Sequence, residues 1–168
     1  MLNNREGYTL IELIVVIVLI GLIMTLSLPR FQYSMLTDNL KGSTRRMVGT
    51  IRSLRDVALR EQRAHDLRID LESNSFWIDS PAMTENERAT AREKASRLPE
   101  GVHILDVWYS GEGKKMMGET FIRFNRKGYI RPSVIHLGSD DGRRFTLVLS
   151  PFLGKIEMLE EYVDFEEI

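Results

Sequence analysis

Two hydrophobic periods divide this chain. From Leu13 to Leu28 the sequence runs Leu-Ile-Val-Val-Ile-Val-Leu-Ile-Gly-Leu-Ile-Met-Thr-Leu-Ser-Leu, without a charge and apolar on every side of a helix. Counted from Tyr8, the stretch whose only charge is Glu12 is 21 residues long, enough as a helix for a hydrocarbon core of about 30 Å. The expectation is a transmembrane helix over 8–28. A secretory signal peptide has a shorter apolar region that ends in a small-residue cleavage site, whereas here Leu28 is followed by Pro29-Arg30-Phe31-Gln32.

Beyond Pro29 the apolar residues recur at helical spacing. Leu36, Leu40, Met47, Ile51, Leu54 and Ala58 form one stripe with basic residues between them. This predicts a stem helix over 29–64, ending near Gln62, kinked by the missing donor of Pro29 and loosened at Gly42 and Gly49. The stripe is expected to lie in a core covered by a sheet.

The period then changes to two. Leu67, Ile69 and Leu71 alternate with polar residues, Glu72-Ser73-Asn74-Ser75 reads as a turn, and Phe76 and Ile78 alternate on the return, the pattern of a β-hairpin. Thr84 to Leu98 is polar, rich in Ala, Glu and Arg, and closed by Pro99 and Gly101, which reads as a short exposed helix or a mobile insertion. Further strands are expected at Val102 to Tyr109, Glu119 to Asn125, Tyr129 to Leu137, Arg144 to Ser150 and Lys155 to Tyr162. The turns between them fall at Arg126-Lys127-Gly128, Asp140-Asp141-Gly142 and Pro151 to Gly154. A helix followed by antiparallel strands gives an α+β class, with 65–168 as a β-rich globular part that forms one soluble domain with 29–64.

Formal net charge is −1, but it is unevenly placed. Residues 29–64 hold Arg30, Lys41, Arg45, Arg46, Arg52, Arg55, Arg60 and Arg63 against Asp38, Asp56 and Glu61, while 157–168 hold six carboxylates and no base. Such asymmetry marks solvated faces or charge-complementary subunit contacts. The chain has no cysteine and so no disulfide with which to report its redox compartment.

Glu12 is the costly residue. A carboxylate near the centre of a bilayer costs about 2.5–3.5 kcal/mol on insertion scales. Together with what precedes it, it completes the string Gly7-Tyr8-Thr9-Leu10-Ile11-Glu12 directly before the apolar run. In this the chain resembles the type IV pilin and type II secretion pseudopilin superfamily. The resemblance implies removal of a leader, 1–7, by a prepilin peptidase at the Gly7-Tyr8 bond, and N-methylation of Tyr8. It also implies roles in filament assembly for Thr9, Glu12 and Pro29, with Glu12 as the fifth mature residue. Physically, cleavage leaves an amine on Tyr8 just inside a membrane, and a carboxylate four positions on, or on a neighbouring copy, neutralises it where low dielectric makes an unpaired charge expensive. Downstream, Phe121-Ile122-Arg123-Phe124-Asn125, Gly128, Phe145-Thr146-Leu147-Val148-Leu149 and Gly154-Lys155-Ile156 resemble the C-terminal β-region of GspH/FimT-type minor pseudopilins.

What the resemblance implies is a structural subunit, not an enzyme: a minor pseudopilin of a type II secretion system, set in the bacterial inner membrane by one span with its C-terminal domain in the periplasm. Its partners would be other pseudopilins or pilins, the prepilin peptidase, the inner membrane and exported cargo. The alternative is a minor type IV pilin, FimT-like, in pilus assembly or DNA uptake; nucleic acid is the less favoured partner, because the basic residues lie on the stem and the C-terminal end is acidic. The positive-inside count opposes the topology, since Arg5 alone precedes the span and Arg30, Lys41, Arg45 and Arg46 follow it. No catalytic residue, cofactor or metal site is indicated: His65, His103 and His136 lack ligand spacing, no phosphate loop or nucleophile motif stands out, Trp77 and Trp108 read as sheet or core aromatics, and Asp140-Asp141-Gly142 reads as a charged hairpin turn rather than a calcium loop.

Overall fold

A computed structural model gives the chain over residues 9–152 and 156–165, with side chains described there except those of 25–38. The backbone falls into two compact units, Met1–Met35 and Leu36–Ile168, both entered by the same helix, α1 (Leu10–Glu61).

In the first unit α1 starts at a threonine cap. The Thr9 carbonyl accepts the Leu13 N–H at 3.2 Å, the first bond of the helix, and its hydroxyl accepts the Glu12 N–H at 3.4 Å, which satisfies one of the amides that a helix start leaves without an internal partner. The large apolar side chains from Leu10 to Met24 are all exposed, by 45% to 77%. Among the described residues no helix is long and apolar enough to cross a membrane; the expected span, 8–28, includes Tyr8 and the side chains of 25–28, which lie outside them. The helix assignment continues through Pro29, Gly42 and Gly49.

In the second unit the stem stripe is core, as its spacing requires. Leu40, Met47, Ile51, Leu54 and Ala58 are wholly buried, and the hydroxyl of Thr44, also buried, is satisfied by donating to the Leu40 carbonyl at 2.8 Å. Leu36 lies among the side chains not described. The stem ends at Glu61, and Gln62, at φ 53°, turns the chain into the sheets.

The strands among the described residues all pair antiparallel. They are β1 (His65–Asp70), β2 (Ser75–Asp79), β3 (Ser96–Arg97), β4 (Val102–Tyr109), β5 (Gly113–Lys115), β6 (Glu119–Phe124), β7 (Ser133–Ser139), β8 (Arg144–Leu149) and β9 (Ile156–Leu159). One sheet has the order β3-β2-β1-β6 and the other β5-β4-β7-β8-β9. Leu67, Ile69, Ile122 and Phe124 of the first and Ile104, Val107, Ile135, Leu137, Leu147 and Leu149 of the second join the stem residues in one apolar cluster. This is the α+β class expected. The polar stretch after Thr84 forms a helix without a buried residue, α2 (Glu85–Glu93), opened by a capping box between Thr84 and Glu87.

Two strand boundaries differ from the sequence expectation, and two short strands are added. The strand expected at Tyr129 begins only at Ser133, because the Asn125 side chain accepts from Lys127 N at 2.8 Å and Tyr129 N at 3.1 Å and closes a turn there, and because Pro132 has no donor for a ladder. The strand expected to reach Tyr162 ends at Leu159, where the chain leaves the edge. β3 and β5 add to the expected strands: segments of two and three residues carry no readable period.

Asn74 joins the sheets. It takes φ 48°, a left-handed conformation that asparagine tolerates better than most residues, and its side-chain oxygen accepts the Ile104 N–H of β4 at 2.8 Å. Its carbonyl accepts the Leu98 N–H at 2.9 Å. Asn74→Ala is expected to lower stability by about 1–3 kcal/mol, from the orphaned amide and the unfavourable φ together, read as a fall in the urea midpoint at unchanged slope.

Candidate assembly site

The N-terminal string begins before α1's cap. Gly7 and Tyr8, the expected processing site, lie outside the described residues. Thr9 is the cap and Glu12 the third helical residue, which places its carboxylate in the first turn, where the partial positive charge of the helix start favours an anion. Thr9-x-x-Glu12 is also the spacing of a capping box, a signal hidden inside the longer motif that contains it. Among the described residues the Glu12 carboxylate meets no hydrogen-bond or ion-pair partner, and exposed leucines and isoleucines flank it. Pro29 stands inside α1, and its side chain is not described.

A second face lies on the stem opposite the buried stripe. Arg45, Arg46, Arg52 and Arg60 are exposed there, with Arg63 just beyond the helix end. Part of the acidic C-terminal end is already engaged: Glu160 meets Lys41 at 3.4 Å and Asp164 meets Lys114 at 3.2 Å.

The histidines do not converge. His65 meets Glu61 at 3.1 Å, His103 meets Asp140 at 2.9 Å and His136 meets Asp106 at 2.6 Å, each in a different part of the fold. Among the described residues no group of three metal-ligating side chains forms. Asp141 closes the β7–β8 hairpin turn by accepting from the Ser139 hydroxyl and from Arg143 N, with Gly142 at φ 85°. Trp77 is 8% exposed in its sheet.

Residues 2–28 match the family described as Prokaryotic N-terminal methylation motif. Over 149 residues the chain is 27% identical to the type II secretion system protein H of Pseudomonas aeruginosa, a match that spans 89% of this chain and 85% of that protein. The chain thus carries an N-terminal methylation motif and is similar, over most of its length, to a type II secretion system protein H. The fold is also similar to solved ones: two structures of the minor pseudopilin EpsH from the type 2 secretion system of Vibrio cholerae superpose with a TM-score of 0.51 at 14% identity. They cover 73% and 74% of this chain and 98% of theirs.

Proposed function

We propose that the chain is a minor pseudopilin of a type II secretion system, a structural subunit of a short periplasmic filament that helps export folded proteins. The observation that carries this is the coincidence, in one chain, of the methylation motif over residues 2–28 with a likeness to protein H that runs through the globular part. In this reading the peptidase removes residues 1–7 and Tyr8 becomes a methylated N-terminus. The exposed apolar surface from Leu10 to Met24 sits in the inner membrane before assembly and against neighbouring helices after it. Glu12 neutralises an N-terminal amine and so sets how far one helix slides past the next.

The positive-inside count opposes this topology, and the more specific leader motif, Gly7-Tyr8-Thr9-Leu10-Ile11-Glu12, outweighs it in this reading. A reporter fused after Ile168 is therefore expected to be active only outside the cytoplasm; activity confined to the cytoplasm overturns the topology.

Deleting the gene should leave secreted proteins accumulating in the periplasm, with export restored by the parental chain. A second reading, a minor type IV pilin that takes up DNA, is favoured by the exposed stem arginines, since phosphate neutralisation by arginine gives sequence-independent affinity. Undisturbed secretion together with lost DNA uptake would make that reading the better one.

A further inference from the structure

The outer face of the five-stranded sheet, turned away from the stem, carries a closed polar cluster centred on His136 and Asp106. Its origin is a β-bulge. Ile104 pairs with Leu137 and Asp106 pairs with His136, leaving Leu105 as an extra residue against Gly138. The extra residue reverses the parity of β4: Val102 and Ile104 before it and Val107 and Tyr109 after it face the core, so Asp106 turns outward beside His136.

His136 is wholly buried. Its Nδ1 lies 2.6 Å from Asp106 Oδ1 and its Nε2 lies 2.9 Å from the carbonyl oxygen of Val163. The Tyr162 ring stacks on the imidazole with centroids 4.1 Å apart, and its hydroxyl donates to Asp106 Oδ2 at 3.0 Å. Beside His136 on β8, Thr146 donates its hydroxyl to the Glu161 carbonyl at 2.7 Å and accepts the Val163 N–H at 3.1 Å. Farther on, Asp164 meets Lys114 of β5 at 3.2 Å and Phe165 lies against Trp108 of β4, ring centroids 6.0 Å apart. After β9 the chain thus runs back across the sheet as a strap, fastened at β8, β7, β4 and β5 in turn.

Both atoms that face the imidazole nitrogens are acceptors, one a carboxylate and one a carbonyl. A neutral imidazole has a single N–H, so whichever nitrogen carries it, the other directs a lone pair at an oxygen. Both bonds exist together only when the His136–Asp106 pair holds one proton more than a neutral ring beside a carboxylate. We propose that Glu161–Phe165 is a proton-operated strap, latched across the sheet by the doubly protonated ring of His136 and loosened when that proton leaves. The groups packed around the ring set the balance. The charged groups that face the imidazole are Asp106 from β4 and, across the Tyr162 ring, Lys114 from β5 and Arg144 from β8, 5.5 and 5.4 Å from the centre of that ring, with Asp164 beside Lys114. Burial pushes the Tyr162 phenol above its ordinary range, which keeps its hydroxyl a donor to Asp106.

The test uses the full chain in detergent micelles, with ¹⁵N-labelled histidine and hydrogen exchange at the Val163 amide. At about pH 6, where histidine ordinarily begins to charge, both His136 nitrogens should be protonated and Val163 protected. As pH rises, the Val163 protection factor, corrected for intrinsic exchange, should fall at least about tenfold at the midpoint of proton loss from His136, and not at those of His65 or His103. His136→Gln, which keeps one donor, should show the loosened level at both pH values with no step. Tyr162→Phe keeps both partners of the ring and serves if the first variant does not fold: Val163 protection should still fall as the His136 proton leaves. A neutral His136 under a docked strap at acid pH, or Val163 protection unchanged as the ring loses its proton, would overturn the proposal.

Discussion

Glu12→Ala should give a chain that reaches the membrane at least as well as the parent, is cleaved normally, and is nearly absent from assembled filaments. Insertion improves because a carboxylate is removed from the start of an apolar segment, where it costs up to about 3 kcal/mol. Cleavage is untouched because the Gly7-Tyr8 bond and the Thr9 cap, whose hydroxyl accepts a backbone amide of residue 12 rather than its side chain, both remain. Assembly fails because nothing neutralises the N-terminal amine: two unit charges about 4 Å apart at an effective dielectric near 20 attract by about 4 kcal/mol. That is ample for a drop of at least about tenfold in filament-bound protein, measured by quantitative blotting of sheared filaments against membranes. Normal incorporation and full secretion by this variant would show that Glu12 does not set the register. Glu12→Asp, which keeps the charge on a shorter arm, should fall between the two.

Gly7→Phe should abolish processing outright. Glycine lets another backbone approach closely and the chain extend locally, and a phenyl group removes both freedoms at the bond to be cut. The variant is expected to keep its leader, run as the larger species on a gel and fail to support export, although the globular unit, whose core begins at Leu40, folds as in the parent. A processed Gly7→Phe chain would move the cleavage site elsewhere in the sequence.

Both predictions rest on six contiguous residues, and a contiguous motif is legible in the sequence because it needs no distant partner to have meaning. The stem stripe is legible for a similar reason: Leu40, Met47, Ile51, Leu54 and Ala58 share one side of a helix by spacing alone, and all five are buried. The first hairpin follows from strict alternation across Leu67 to Ile78, and Leu67 pairs with Ile78 in the sheet. What escapes is whatever depends on partners distant in sequence. The strand expected at Tyr129 is displaced by a side-chain turn at Asn125 that alternation does not reveal. The bulge in β4 does leave a trace, a slip in apolar phase from Val102 and Ile104 to Val107 and Tyr109, but its meaning depends on a histidine 30 positions later. His136 reads as one more isolated histidine because Asp106, Tyr162 and Val163 reach it only once the sheet has closed and the C-terminal segment has crossed it. The Thr9 cap is plainly written as Thr-x-x-Glu and is overshadowed by the motif around it.

The globular unit and the N-terminal motif therefore carry separate kinds of information. The core, the bulge and the strap say how the domain holds its shape; the motif says where the chain goes and what it becomes part of. The most direct test of the second is the intact mass of the chain extracted from membranes of cells with and without an active prepilin peptidase. With the enzyme, the chain should lose residues 1–7 and carry one added methyl group on Tyr8, and without it the leader should remain. A chain that still begins at Met1 in membranes where the peptidase is active would contradict the account.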